Sequence, residues 1–87
     1  MEIELSETAK EDLLFWKKSG NTAMQKKISS LLQSILETPY TGLGKPEPLK
    51  HQLSGYWSRR INKEHRLVYQ VETARIIVIS MRFHYNP

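Results

Sequence analysis

Six residues in the C-terminal half of this 87-residue chain have side chains that could move protons around a phosphate: Glu47, Lys50, Arg60, Arg66, His84 and Tyr85. They comprise one carboxylate, three cations, one imidazole and one phenol. Cleavage of an RNA phosphodiester without a metal needs such a set. A base must take the proton of the attacking 2′-hydroxyl, an acid must protonate the departing 5′-oxygen, and fixed cations must neutralise the phosphoryl oxygens between those events. An imidazole with an ordinary pKa of about 6.5 can hold the acid's proton near neutrality. Arginine suits the phosphate because its planar fork meets two oxygens at once and keeps its charge. The cations around Glu47 favour its ionised form and weaken its pull on a proton, which also fits a role in orienting the 2′-hydroxyl. Ordinary structural roles fit the same residues. Arg66 can pair with Glu64 or Glu72, Glu47 with Lys45 or Lys50, and His84 can be a solvated tail group.

Other chemistries are poorly supplied. The chain has no cysteine, so it has no disulfide, thiolate nucleophile or thiolate metal ligand, which fits a reducing compartment. His51, His65 and His84 lack zinc-type spacing and have no cluster of acids beside them, so neither a metal nor a cofactor is expected. Asp12, the only aspartate, falls on the wet side of the first expected helix, and no Ser-His-Asp arrangement can be read. No glycine-rich phosphate loop is present.

The net charge of +4 is concentrated. Residues 45–66 hold six Lys or Arg against two Glu, whereas residues 1–44 hold five against six. A block of one sign points to an anionic partner, nucleic acid first. The acidic first residues do not read as a signal peptide, and no apolar run approaches the ~20 residues that cross a bilayer. The expectation is a cytoplasmic protein of one domain, residues 1–87, with no membrane role. A domain of this size buries only about 60–65% of its unfolded surface, so its core is thin.

The elements that must position these residues follow from periodicity. Ile3–Leu5 reads as a short strand, and Ser6 as the N-cap of a helix running to Ser19 with Ala9, Leu13 and Trp16 on one face. Gly20 ends it. Asn21 or Thr22 caps a second helix whose apolar stripe is Met24, Ile28, Leu31, Leu32, Ile35 and Leu36, and Pro39 stops that helix. Residues 38–48 form a loop in which Pro46 and Pro48 stiffen the backbone around Glu47. The period then becomes two over residues 56–62, 65–71 and 75–83, an antiparallel meander. Leu67, Tyr69 and Val71, with Ile77, Ile79, Met81 and Phe83, are expected to face the helices. The opposite face should collect Arg60, Arg66, Arg82 and His84. Arg59 shares a face with Trp57 and Ile61, does not suit a core, and is expected at an edge. The fold class is α+β: a short N-terminal strand and two helices packed on one face of a small twisted antiparallel sheet.

The segment GKPEPLKHQLSGYWSRRINKEHRLVY (44–69), followed by RFHY (82–85), closely resembles the YoeB/Txe branch of the RelE/ParE toxin superfamily. Trp16 and the TPY turn at 38–40 fit the same branch. The resemblance implies a RelE-like fold and the toxin of a type II toxin–antitoxin pair. It further implies an endoribonuclease that enters the A site of the bacterial 30S subunit, cuts mRNA there and stops translation. Carried over position by position, it makes Glu47 the general base, His84 the general acid and Arg66 the group that stabilises the transition state. Lys50 and Arg60 would hold the scissile phosphate, and Tyr85, with Arg82 of the same terminal motif, would help arrange substrate. An acidic antitoxin of the YefM/Axe kind would be the partner, and a homodimer is compatible. Asn86 and Pro87 extend past the usual terminal His-Tyr. Two other readings stay open: a toxin of the superfamily that binds DNA gyrase, and a basic domain that coats RNA.

Overall fold

A computed structural model describes residues 1–83. Chain order is β1 (Glu2–Leu5), α1 (Glu7–Ser19), α2 (Thr22–Glu37), β2 (Glu47–Pro48), a single 3-10 turn (His51–Leu53), β3 (Tyr56–Arg60), β4 (Arg66–Val71) and β5 (Arg75–Ser80). The strands form one sheet in the order β1-β5-β4-β3-β2, and both helices cover one of its faces.

Local chemistry sets the helix ends. Ser6 Oγ accepts from the Ala9 amide at 3.0 Å, which caps α1, and donates to the Ile79 carbonyl at 2.7 Å, which ties that end to β5. Gly20 closes α1 with φ of +72°. Asn21 caps α2 through the Met24 amide at 3.1 Å. Ala9, Trp16, Met24, Ile28, Leu31 and Ile35 from the helices pack on Leu67, Tyr69, Ile76, Val78 and Met81 from the sheet side, and Ile61 closes one end.

The structure corrects the expected layout in four places. The sheet is mixed: β1 runs parallel to β5, with Ile3 opposite Ile76. Parallel neighbours need a long crossover, and here the two helices and the rest of the sheet lie between them. Next, Ile76 and Val78, not Ile77 and Ile79, face the helices. β5 is apolar on both faces, so its period of two leaves the phase open. Pairing of Val71 with Ile76 and Tyr69 with Val78 sets it. An irregularity then carries the register to Val68 opposite Ser80, skipping Ile79 and returning Met81 to the core. Asp12 is buried, not wet. It follows Ala9 by three residues and precedes Trp16 by four, on the apolar stripe, and accepts from the Met81 amide at 2.9 Å. Arg59 is fully buried rather than at an edge.

Candidate functional site

Arg59 explains how the loop before Glu47 is held. Its Nε donates to Tyr69 Oη at 3.1 Å, Nη1 to Ser34 Oγ at 2.8 Å and to the Leu43 carbonyl at 2.9 Å, and Nη2 to the Thr38 carbonyl at 2.7 Å. Tyr69 Oη in turn donates to the Pro39 carbonyl at 2.6 Å. Burial pushes the Tyr69 phenol above its ordinary value, and the Arg59 hydrogen bond and charge oppose that rise. One buried guanidinium thus gathers both ends of the 38–43 turn. Gly44 follows with φ of +81°, and a side chain there would stand 2.7 Å from Leu31 Cδ2. Its carbonyl accepts from the Arg60 amide at 2.7 Å, docking the chain on β3 as it enters β2.

Glu47 then pairs with Ser58, Ser58 with Val68, and Val68 with Ser80, one row across the sheet on the face away from the helices. Arg60 and Arg66 oppose each other one step along the same face. The Arg66 guanidinium donates to Ser58 Oγ at 3.1 Å and lies 3.5 Å from Glu47 Oε2. The Arg66 side chain is only 15% exposed, whereas that of Glu47 is 61% exposed. A cation of fixed direction therefore stands beside a carboxylate that solvent and substrate can reach. The carboxylate is open to water, so the pair's contribution to stability is at most about 1 kcal/mol.

The other expected residues fall in different places. Lys50 is exposed at the start of the 3-10 turn just after β2. Arg60 is exposed and lines a groove of about 360 Å³ together with Lys27, Lys45 and Lys63. Arg82 stacks on aromatic rings. Its guanidinium lies 3.7 Å above the centre of the Phe15 ring on α1 and 4.4 Å from that of Phe83. His84 and Tyr85, together with the Asn86–Pro87 extension, lie outside the described residues.

The approach to His84 is described, and it is tightly held. The Met81 amide donates to Asp12, and the Met81 carbonyl accepts from Trp16 Nε1 at 2.9 Å. The Phe83 amide donates to His65 Nδ1 at 2.7 Å, and the Phe83 carbonyl accepts from the Arg66 amide at 3.1 Å. Sequence reasoning missed Asp12, Ser58, Arg59 and His65 in these roles. Ser58 had a signal, since it shares parity with Arg60. The others depend on contacts that appear only once the strand register is known. Among the described residues no group of three or more His, Cys, Asp or Glu is placed to hold a metal ion, and no helix is long and apolar enough to cross a membrane.

Comparison with known proteins shows which chains share this sequence and fold. The model of the YoeB-like toxins of bacterial type II toxin–antitoxin systems matches residues 5–85. The chain is 48% identical to Toxin YoeB of Synechocystis over 86 residues, 99% of each chain. It is 46% identical to Toxin YoeB of Escherichia coli K12 over 85 residues, 98% of this chain and 100% of that one. Among solved structures, a YoeB/ParE toxin from Agrobacterium tumefaciens superposes with a TM-score of 0.93 at 45% identity, covering 98% of this chain and all of that one. A Staphylococcus aureus YoeB dimer gives 0.89, and the YoeB of a heterotetrameric YoeB–YefM toxin–antitoxin complex from the same species gives 0.88. Each is 45% identical and covers 98% of both chains.

Proposed function

The chain belongs to the YoeB-like toxin family of bacterial type II toxin–antitoxin systems, and from that premise we propose that it is an endoribonuclease that cuts mRNA in the A site of the 30S ribosomal subunit. The observation that carries this reading is the placement of Glu47 and Arg66. A solvent-open carboxylate lies 3.5 Å from an oriented, largely buried guanidinium, and the amide of that same arginine bonds the residue just before His84.

In this reading Glu47 accepts the 2′-hydroxyl proton as the 2′-oxygen forms its bond to phosphorus. Arg66, with Lys50 and Arg60 at the rim, neutralises the charge gathering on the non-bridging oxygens. His84 gives a proton to the 5′-oxygen as the P–O5′ bond breaks. Tyr85 helps to arrange the substrate. The products are a 2′,3′-cyclic phosphate, or the 3′-phosphate from its hydrolysis, and a 5′-hydroxyl. Arg82, stacked on Phe15, keeps its in-plane N–H groups for the substrate. No cofactor or metal takes part in this scheme. The protein works in the cytoplasm, where it meets ribosomes. The relatives in complex with YefM and as a dimer support an acidic, YefM-like antitoxin and a homodimeric form as its partners. An acidic segment complements the basic face of residues 45–66.

The test is primer extension on mRNA, with and without ribosomes, comparing wild type with Glu47→Ala and His84→Ala. Ribosome-dependent cuts with 5′-hydroxyl ends, lost in both variants, are expected. Ends bearing 5′-phosphate, or both variants cutting at the wild-type rate, would overturn the scheme. Growth arrest undiminished in His84→Ala would favour a gyrase-binding toxin. Salt-sensitive RNA binding without any cleavage would favour a domain that only coats RNA.

A further inference from the structure

We propose that His65 is a positioning residue for this reaction, acting through the Phe83 amide to set where the backbone delivers His84; the inference rests on the ribonuclease reading above. The Phe83 amide donates to His65 Nδ1 at 2.7 Å, so that nitrogen carries a lone pair and the neutral ring keeps its proton on Nε2. His65 is therefore bound to the chain rather than poised as an acid. Its ring is fixed edge-on against Trp16, with centroids 4.9 Å apart and planes at 84°.

Its backbone is fixed too. Asn62 Oδ1 accepts from the Glu64 and His65 amides, both at 2.8 Å, and shapes the β3–β4 turn. The His65 carbonyl accepts from the Ile61 amide at 2.9 Å and the Asn62 amide at 3.2 Å. The backbone of the residue that meets Phe83 is thus held by contacts within its own turn.

Phe83 needs such a holder. Its φ is +68°, a left-handed conformation that an aromatic residue keeps only where its surroundings impose it. Phe83 is 59% exposed, so burial does not impose it. Two consecutive residues do: His65 takes the Phe83 amide, and the Arg66 amide takes the Phe83 carbonyl. The guanidinium of that same Arg66 reaches Glu47 and Ser58. Residues 65 and 66 therefore tie the base side of the site to the peptide that leads into the acid.

The experiment uses the full chain and ribosomes programmed with a defined mRNA. His65→Phe keeps a ring against Trp16 and removes the acceptor. His65→Asn removes the ring but offers an amide oxygen near the position of Nδ1. In single-turnover cleavage, His65→Phe should lower the saturating rate about tenfold while leaving the half-saturating ribosome concentration unchanged, since losing one hydrogen bond shifts a local equilibrium by up to about that factor. His65→Asn should recover most of the rate. Amide hydrogen exchange at Phe83 should quicken in His65→Phe and slow again in His65→Asn. A wild-type rate in His65→Phe overturns the inference, as does a loss confined to binding or an asparagine variant no better than the phenylalanine one. If His65→Phe does not fold, His65→Leu replaces it in the same comparison. If wild type itself does not cut RNA, the ribonuclease reading fails separately, and unchanged Phe83 exchange in His65→Phe overturns the clamp.

Discussion

Replacing Arg59 by methionine removes a buried guanidinium and keeps most of its volume, and the outcome turns on which bonding partners are left behind. Four acceptors lose the Arg59 donor: Tyr69 Oη, Ser34 Oγ and the carbonyls of Leu43 and Thr38; Ser34 Oγ keeps the Leu43 amide and the Thr38 carbonyl the Thr41 amide. Thr38 and Leu43 are exposed residues, so water can replace the guanidinium at their carbonyls for little net loss. Tyr69 and Ser34 are buried and out of reach of such replacement. Each buried group left short of a partner costs about 1–3 kcal/mol. Relief from desolvating an unpaired cation offsets part of this. Ser34 Oγ keeps the Leu43 amide, so the expected net loss is about 1–3 kcal/mol, a large share of the roughly 4–13 kcal/mol that a domain of this size holds in total. Urea unfolding followed by circular dichroism should show the midpoint falling with an unchanged slope. Arg59→Lys keeps the charge but cannot reach four acceptors, and should lie between wild type and Arg59→Met. A methionine variant as stable as wild type would refute the reasoning, for it would mean that the guanidinium's bonds only balance its burial. The same variants carry a second expectation in mRNA cleavage: the turn from Thr38 to Leu43 loosens, Glu47 is held less firmly, and activity falls beyond what the stability loss explains.

Two other perturbations follow from the geometry. Arg66→Lys keeps a charge beside Glu47 but loses the planar fork that can meet two phosphoryl oxygens at once; its cleavage rate should fall about 100-fold with the thermal midpoint nearly unchanged. Tyr69 gives a pH dependence of stability. Burial raises its phenol above 10.0 in the folded chain, so the folded state keeps a proton that the unfolded chain gives up. This contribution is complete below about pH 10 and disappears as pH rises through the folded value. Urea midpoints taken above neutrality should therefore fall steeply near and above pH 10 in wild type, and much less in Tyr69→Phe.

The parts of the fold that sequence discloses are those governed by local chemistry. Ser6, Gly20, Asn21 and Pro39 mark helix ends because capping and φ restriction act within a few residues. The three long strands show their period because each alternates side chains in and out. What stayed hidden depends on pairing. β5 reads RIIVIS, apolar on both faces, so only its partners on β4 decide that Ile76 and Val78 turn inward. Arg59 looks wrong for a core until the turn at 38–43 and the Tyr69 hydroxyl are brought to it. Asp12 looks like a solvated acid until the end of β5 presents the Met81 amide to it. On the open face, Arg60 and Arg66 were legible as neighbours because they share parity on adjacent strands; Glu47 stood out only by its flanking prolines in an expected loop, and its pairing with Ser58 in β2 was not legible. The stacking of Arg82 on Phe15 was not legible, because the strand period stops before it.

The shortness of β2 has a consequence for a protein that presents a bare sheet margin. The Leu49 amide donates inward, to the Tyr56 carbonyl on β3. Amide direction alternates along an extended chain, so the nitrogens of Pro48 and of Pro46 before it fall on the outward side, where proline has no hydrogen to offer. An invading strand would find its donors missing on both flanks of Glu47, and β2 holds only two paired residues. The carboxylate can thus lie at the outermost rim of the sheet, open to a bulky polymer, without that rim templating fibrous self-association.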